Sequence, residues 1–212
     1  MRFTTMLARS LCALLGLIIV SASLAYANTS TRDRLIADIA RLGGTVEFDE
    51  NLPGRPIVKV DLHGTKVSDG DLAMFEYART DLMQLRYLDL RLTKISDDGV
   101  ARLKNLRQLQ TLNLFRTRLG DGGLAQLKKL TDLRTLLIGG TQVTDAGLVH
   151  LRGFSKLRKL SLFQTPVSDN GIAELKRMSS LEVVLIAGSK ITAAGAEELQ
   201  RALPRVSFNE DN

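Results

Sequence analysis

The sequence is poor in the residues that carry cross-links and chemistry: 212 residues hold one cysteine, two histidines, four prolines and no tryptophan. A lone thiol excludes a disulfide framework and a cysteine-built metal site. His63 and His150 stand far apart in the chain, which argues against a histidine metal pair. Aromatic residues make up only 5%, and 29 basic side chains face 23 acidic ones, for a net charge of +6. Nucleic-acid binding would call for a pronounced basic face with stacking rings, and neither is suggested. What remains is ordinary for a folded protein, 44% hydrophobic and 25% charged.

Long apolar runs are also missing, apart from LCALLGLIIV near the start. Residues 1–27 have the three parts of a secretory signal: Arg2 and Arg9 in front, this apolar run, then SASLAYA with small residues at Ala25 and Ala27. Cleavage is expected after Ala27. The competing reading is an uncleaved anchor, but the run is short against the about 20 residues a span needs. Cys12 lies inside this segment, so the mature chain is expected to have no thiol at all. Losing Arg2 and Arg9 leaves 27 basic and 23 acidic side chains, a net +4.

The chain is organised by a period of twenty-four residues, which sets YLDLRLTKISDDGVARLKNLRQLQ above TLNLFRTRLGDGGLAQLKKLTDLR, TLLIGGTQVTDAGLVHLRGFSKLR and KLSLFQTPVSDNGIAELKRMSSLE. Leu88, Leu112, Leu136 and Leu160 share one column. Self-similarity at a fixed period predicts a solenoid, in which each unit buries its face against its neighbours. Within a row the periods differ. TLNLF alternates like a strand, with Leu112 and Leu114 on one face, whereas GLAQLKKL puts Leu124, Leu127 and Leu130 on one helical stripe. One strand and one helix per row predict a curved parallel sheet inside and helices outside.

Before the regular rows, Ser30 or Thr31 is placed to cap a helix through RDRLIADIARL that stops at Gly43 and Gly44. TVEFDE then alternates as a strand and NLPGRP reads as a turn. Residues 28–56 are thus expected to form an N-terminal helix-strand cap over the first end of the core, with repeats over 57–206 and a tail at 207–212. The first repeat carries four extra residues before Leu82, expected as one more helical turn. Val206 and Phe208 suggest a last short strand after Pro204.

The rows resemble leucine-rich repeats of the pattern LxxLxLxxTxVTDxGLxxL, similar to those of secreted bacterial repeat proteins and of the cysteine-containing F-box proteins. The resemblance covers about residues 57–208. It implies an α/β leucine-rich-repeat solenoid that binds a protein through its concave sheet. The chain has no F-box helices ahead of the array and no column cysteine, and a secretory signal does not suit an intracellular ubiquitin-ligase adaptor.

Three columns invite chemistry and are better read as structure. Thr65, Thr93, Thr117, Thr141, Thr165 and Ser189 are expected to satisfy backbone groups of the turn. Asp69, Asp97, Asp121, Asp145 and Asp169 recur once per row, where a carboxylate is stabilised by a helix start; catalytic pairs would occur at one place. Gly99, Gly123, Gly147, Gly171 and Gly195 suit close helix packing, and no Lys with Ser or Thr follows them as in a phosphate loop. No residue set suggests an enzyme, a cofactor or a metal.

Function is expected in residues that break the repeat on the outward strand positions. Phe115 and Phe163 share a column with Gly139 between them, and at strand spacing the rings should stand about 10 Å apart over a glycine floor. Aromatic and Arg anchors beside a notch suit a protein hot spot. The candidate partner-binding patch is Tyr87, Asp89, Arg91, Phe115, Arg116, Phe163 and Gln164. The plainer reading is that these are scattered surface residues. A second candidate is a basic stripe of Lys104, Lys128, Arg152 and Lys176 on the helices, suited to an anionic envelope polymer or membrane surface.

Overall fold

The computed structural model describes residues 30–208; the segment 1–27 expected to be a secretory signal and the end of the acidic tail lie outside them. Ser30 opens helix α1 (Thr31–Arg41), its hydroxyl accepting the Asp33 N–H at 3.1 Å. Leu35 and Ile39 on one stripe of this helix are buried. Gly43 ends it in the left-handed region at φ +85°. Gly44 then passes so close to the Asp61 carbonyl that a Cβ would stand 2.6 Å from it.

Strand β1 (Thr45–Phe48) runs antiparallel to β2 (Ile57–Asp61). The remaining strands, β3 (Tyr87–Asp89), β4 (Thr111–Asn113), β5 (Thr135–Leu137), β6 (Lys159–Ser161) and β7 (Val183–Leu185), continue it in parallel and in sequence order as one seven-stranded sheet. Their register sets Val60, Leu88, Leu112, Leu136, Leu160 and Val184 side by side, all fully buried. Each such side chain contributes about 1.5–3 kcal/mol through burial. This column is the spine of a core continuous from α1 to Val206.

The return segments are shorter and tighter than the helical stripes suggested. They comprise α2 (Met74–Tyr77), α3 (Asp97–Ala101), α4 (Asp121–Gln126), α5 (Ile172–Leu175) and α6 (Ala193–Ala202), while the row after β5 returns through a 3-10 helix, Asp145–Gly153. A row of twenty-four residues leaves little chain for a full α-helix between two loops, and 3-10 turns cover more length per residue. The four extra residues of the first repeat also depart from expectation. Helix α2 ends at Tyr77 and residues 78–84 form turns, with the Asp81 and Leu82 N–H groups both donating to the Ala78 carbonyl. Met83 is left 61% exposed by that turn. The expected last strand is a single bridge, Ser207 to Val183, because the turn around Pro204 commits the Val206 N–H to the Leu203 carbonyl.

The threonine column does what the sequence suggested. The hydroxyls of Thr65, Thr93, Thr117, Thr141 and Thr165 each donate to the carbonyl three residues back, at 2.6–2.7 Å. Ser189 differs, accepting the Ile191 N–H instead.

Asp97, Asp121, Asp145 and Asp169 stand in the first turn of their return segments, as expected, but the aspartate column also has a role that the sequence did not suggest. Each carboxylate reaches forward to the next row. Asp69 accepts the Ser96 N–H and hydroxyl, Asp121 those of Thr144, Asp145 those of Ser168 and Asp169 those of Thr192. Asp97 accepts only the Gly120 N–H, since that row has no hydroxyl to offer. The first row has no predecessor, and there Ser68 is held by Asp71 of its own row. The last row has Ala193 in the acid's place. The glycine column follows from this ladder: a Cβ at Gly99, Gly147 or Gly195 would overlap the incoming carboxylate oxygen.

Candidate functional site

The concave face is built by the outward strand positions and the two residues after each strand. In the first three rows Asp61, Asp89 and Asn113 accept the N–H two residues on, at 2.9–3.1 Å, which fixes the turn. One residue further, the backbone enters the left-handed region in every row, at Gly64, Leu92, Arg116, Gly140, Gln164 and Gly188. This geometry aims the N–H of each residue from Gly64 to Gln164 at a carbonyl of the following row. Three rows meet it with glycine; three hold a side chain there at a cost of order 1 kcal/mol.

That column places Arg116 and Gln164 on the rim, where the Arg116 guanidinium comes within 3.5 Å of Gln164 Oε1. The two residues are two rows apart, and the link crosses Gly140. A Cβ at Gly140 would stand 2.7 Å from Arg116 Cγ. Arg116 also lies over the Phe115 ring at 5.2 Å, in cation–π geometry.

The notch expected between Phe115 and Phe163 is closed. Their ring centroids are 6.2 Å apart with planes tilted by 40°, so the rings lean over Gly139 and touch. Gly139 permits this: a Cβ there would meet the Phe163 carbonyl at 2.9 Å and Phe115 Cδ2 at 3.1 Å. Aromatic attraction and apolar burial outweigh the open arrangement that strand spacing alone would give. Beside the pair lies a shallow hollow of about 240 Å³ lined by Arg91, Asn113, Phe115, Leu137, Ser161, Phe163 and Leu185.

The structure therefore brings together Arg91, Phe115, Arg116, Phe163 and Gln164 on the face, and places Asp89 beneath Arg91 and Tyr87 at the edge. Asp89 is only 1% exposed; it accepts the Arg91 N–H at 2.9 Å and the Tyr87 hydroxyl and Asn113 amide at 3.3 Å. Its carboxylate also lies 3.4 Å from Arg91 Nε. It positions Arg91 rather than facing outward. Tyr87 stands at the opposite end of its strand, with Lys59 Nζ 5.1 Å above its ring. Burial, and then the Asp89 charge and hydrogen bond, push its phenol above the ordinary value. Leu137 and Leu185 were missed as site residues, although an apolar residue at an outward position that is Asp, Asn or Ser in other rows was a signal to be read.

The basic stripe on the helices is partly neutralised. Arg152 makes two hydrogen bonds to Glu174 at 2.5 and 2.6 Å, and Lys176 reaches Glu198 at 2.8 Å, each acid coming from the next row. The Arg152 guanidinium, through that hydrogen bond, holds the Glu174 carboxyl below its ordinary value. Among the described residues no group of three or more His, Cys, Asp or Glu is placed to hold a metal ion. No helix among them is long and apolar enough to cross a membrane.

A family model described as a leucine-rich repeat matches residues 82–104. No curated protein matches the sequence. Among solved structures, an internalin (inlF) from Listeria monocytogenes is similar with a TM-score of 0.57 at 20% identity, over 71% of this chain and 46% of that one. The chain thus corresponds to less than half of that protein. An internalin C2 (inlC2) from the same organism has a TM-score of 0.49 at 21% identity, over 72% and 79% of the two chains. Rows of one strand and one return segment, a matching repeat and a shared internalin fold agree: the chain is a leucine-rich-repeat solenoid that resembles bacterial leucine-rich-repeat proteins.

Proposed function

We propose that the chain is an exported recognition module that engages a protein partner through the concave face, at a patch centred on Phe115 and Phe163. The observation that carries this reading is the pair of rings in contact over Gly139 beside the hollow of Arg91, Leu137 and Leu185. Part of each ring stays open to solvent, so both offer apolar area to a partner already held in place. Arg116 and Gln164 border the rings with polar groups, and Arg91 is oriented from beneath by Asp89. A packed aromatic centre with a polar margin is the arrangement from which binding energy is drawn. Asp89 supports the patch from inside, and Tyr87 stands at its edge.

Export rests on residues 1–27, with cleavage after Ala27. The test uses the full-length precursor, its exported form identified by mass. Proteins cross-linked to the wild type from the exported fraction should be lost with Phe115→Ala/Phe163→Ala at an unchanged far-ultraviolet dichroism spectrum. Retained capture would sink the patch, and an intact leader on the mature protein would sink cleavage.

A further inference from the structure

The opposite edge of the sheet carries a cleft that the concave patch does not use. It has a volume of about 320 Å³ and lies where the return segments turn back into strands, its charged lining being Arg134, Lys156, Arg158 and Arg205 with one acid, Glu182, beside Ser155 and Ser179. The backbone builds the cluster. The Arg158 N–H donates to the Arg134 carbonyl and the Glu182 N–H to the Arg158 carbonyl, each at 2.8 Å, so these three residues occupy successive rows at one position. Adjacent rows stand about 4.8 Å apart, which forces two guanidinium stems side by side. Arg205 comes in from the final turn after Pro204.

The charges there are unequal. Glu182 lies 3.3 Å from Arg158 and Asp132 lies 2.5 Å from Lys156, so two of the four cations have carboxylate partners. Arg134 and Arg205 have none among the described residues. The Ser155 and Ser179 hydroxyls are likewise not engaged by another described residue, whereas Ser180 is spent on the Leu157 carbonyl at 2.7 Å. Planar guanidinium donors and hydroxyl donors converging on one hollow match the oxygens of a tetrahedral oxyanion better than they match a halide. Arg86 stands two rows earlier in the same column, joined to Arg134 through Gln110, and adds positive charge to this edge.

We propose that this cleft binds a phosphate group, with Arg134 and Arg205 as its principal ligands and Ser155 and Ser179 as supporting donors. It lies across the strands from Phe115 and Phe163, so it is a second site and does not depend on the protein-binding reading. A free phosphate and the headgroup of an anionic lipid offer the same chemistry, and the test separates them.

The mature chain is titrated at low salt with inorganic phosphate, followed by nuclear magnetic resonance of the arginine side chains, and in parallel by sedimentation with vesicles of phosphatidylcholine containing one part in four phosphatidylglycerol. Saturable shifts at Arg134 and Arg205 are expected with phosphate, and Arg134→Ala/Arg205→Ala should weaken binding by about tenfold. Lys104→Ala/Lys128→Ala, on the helical face, should leave it within about twofold, because those charges lie outside the cleft. Sedimentation lost with the same arginine pair identifies the lipid headgroup as a source; phosphate shifts without sedimentation identify the free anion. Absence of binding in both arms overturns the site, as does equal displacement by chloride at matched ionic strength or equal loss in the lysine pair.

Discussion

The Asp121 carboxylate occupies the space in which a side chain at Gly147 would stand. The acid is there because it accepts the Thr144 N–H at 2.8 Å and the Thr144 hydroxyl at 2.6 Å, joining one row to the next. Glycine in this column is thus a response to a hydrogen bond. Gly147→Ala should destabilise by about 1–3 kcal/mol through overpacking, and Asp121→Ala by about 1–3 kcal/mol through the unpaired Thr144 groups. In the double variant the overlap is gone, so the losses should sum to less than the two singles. Urea unfolding of the four proteins checks this; strict additivity would contradict it. Gly153→Ala, where a Cβ meets nothing within 4 Å, serves as the neutral control.

The contact between Phe115 and Phe163 rests on Gly139 having no side chain. Gly139→Ala is expected to push the rings apart and cost about 1–3 kcal/mol. Ring-to-ring nuclear Overhauser effects present in the wild type should weaken in the variant. Unchanged ring contacts with unchanged stability would remove the role given to this glycine.

Leu92 sits at φ +58° in a column where three rows have glycine, and its side chain is 50% exposed. Little packing is lost by removing it. Leu92→Gly should therefore stabilise the fold, by up to about 1 kcal/mol once the greater freedom of the unfolded chain is set against the strain. Arg116→Gly, at φ +53°, should gain less, since it also gives up the stacking on Phe115. A lower Tm for Leu92→Gly than for the wild type would refute the strain argument.

Tyr77 ties helix α1 to the first row by donating its hydroxyl to Asp38 at 2.6 Å, with the Arg34 guanidinium 4.7 Å over the ring. Burial, and then the Asp38 hydrogen bond and charge, push its phenol up to about 12, while Arg34 acts in the opposite direction. Because the folded value is raised, the stabilisation is complete below the unfolded tyrosine value near ~10 and is lost as pH rises through the folded value of about 12. Tyr77→Phe should lower stability at neutral pH by about 1 kcal/mol and flatten the alkaline fall. Chemical unfolding as a function of pH reads both effects.

The spacing of leucines was enough to place the four central strands of the parallel sheet, because a buried column must repeat when rows stack in register, and valine continues it at either side. Val60, Leu88, Leu112, Leu136, Leu160 and Val184 are that column in the structure. The repeating Asp was visible too, but its partner was not. A side chain that reaches out of its own row into the next leaves no local spacing to read, so the helix start next to it was the nearer explanation. The ring contact was hidden for a similar reason: strand spacing fixes where Phe115 and Phe163 are rooted, and side-chain torsions decide where they meet. The left-handed column was disguised by Leu92, Arg116 and Gln164, which occupy positions where glycine would have announced it.

The carboxylate ladder has a direction, and its two ends are unlike its middle. Ser68 at the start is already satisfied by Asp71, and Ala193 at the finish has no acid to extend. Two copies of the array laid head to tail would therefore find no such bond across the junction. Heterologous contacts that do not close are the route to fibres. The bond that makes the rows cohere is thus one that the last described row does not offer to the first row of another copy.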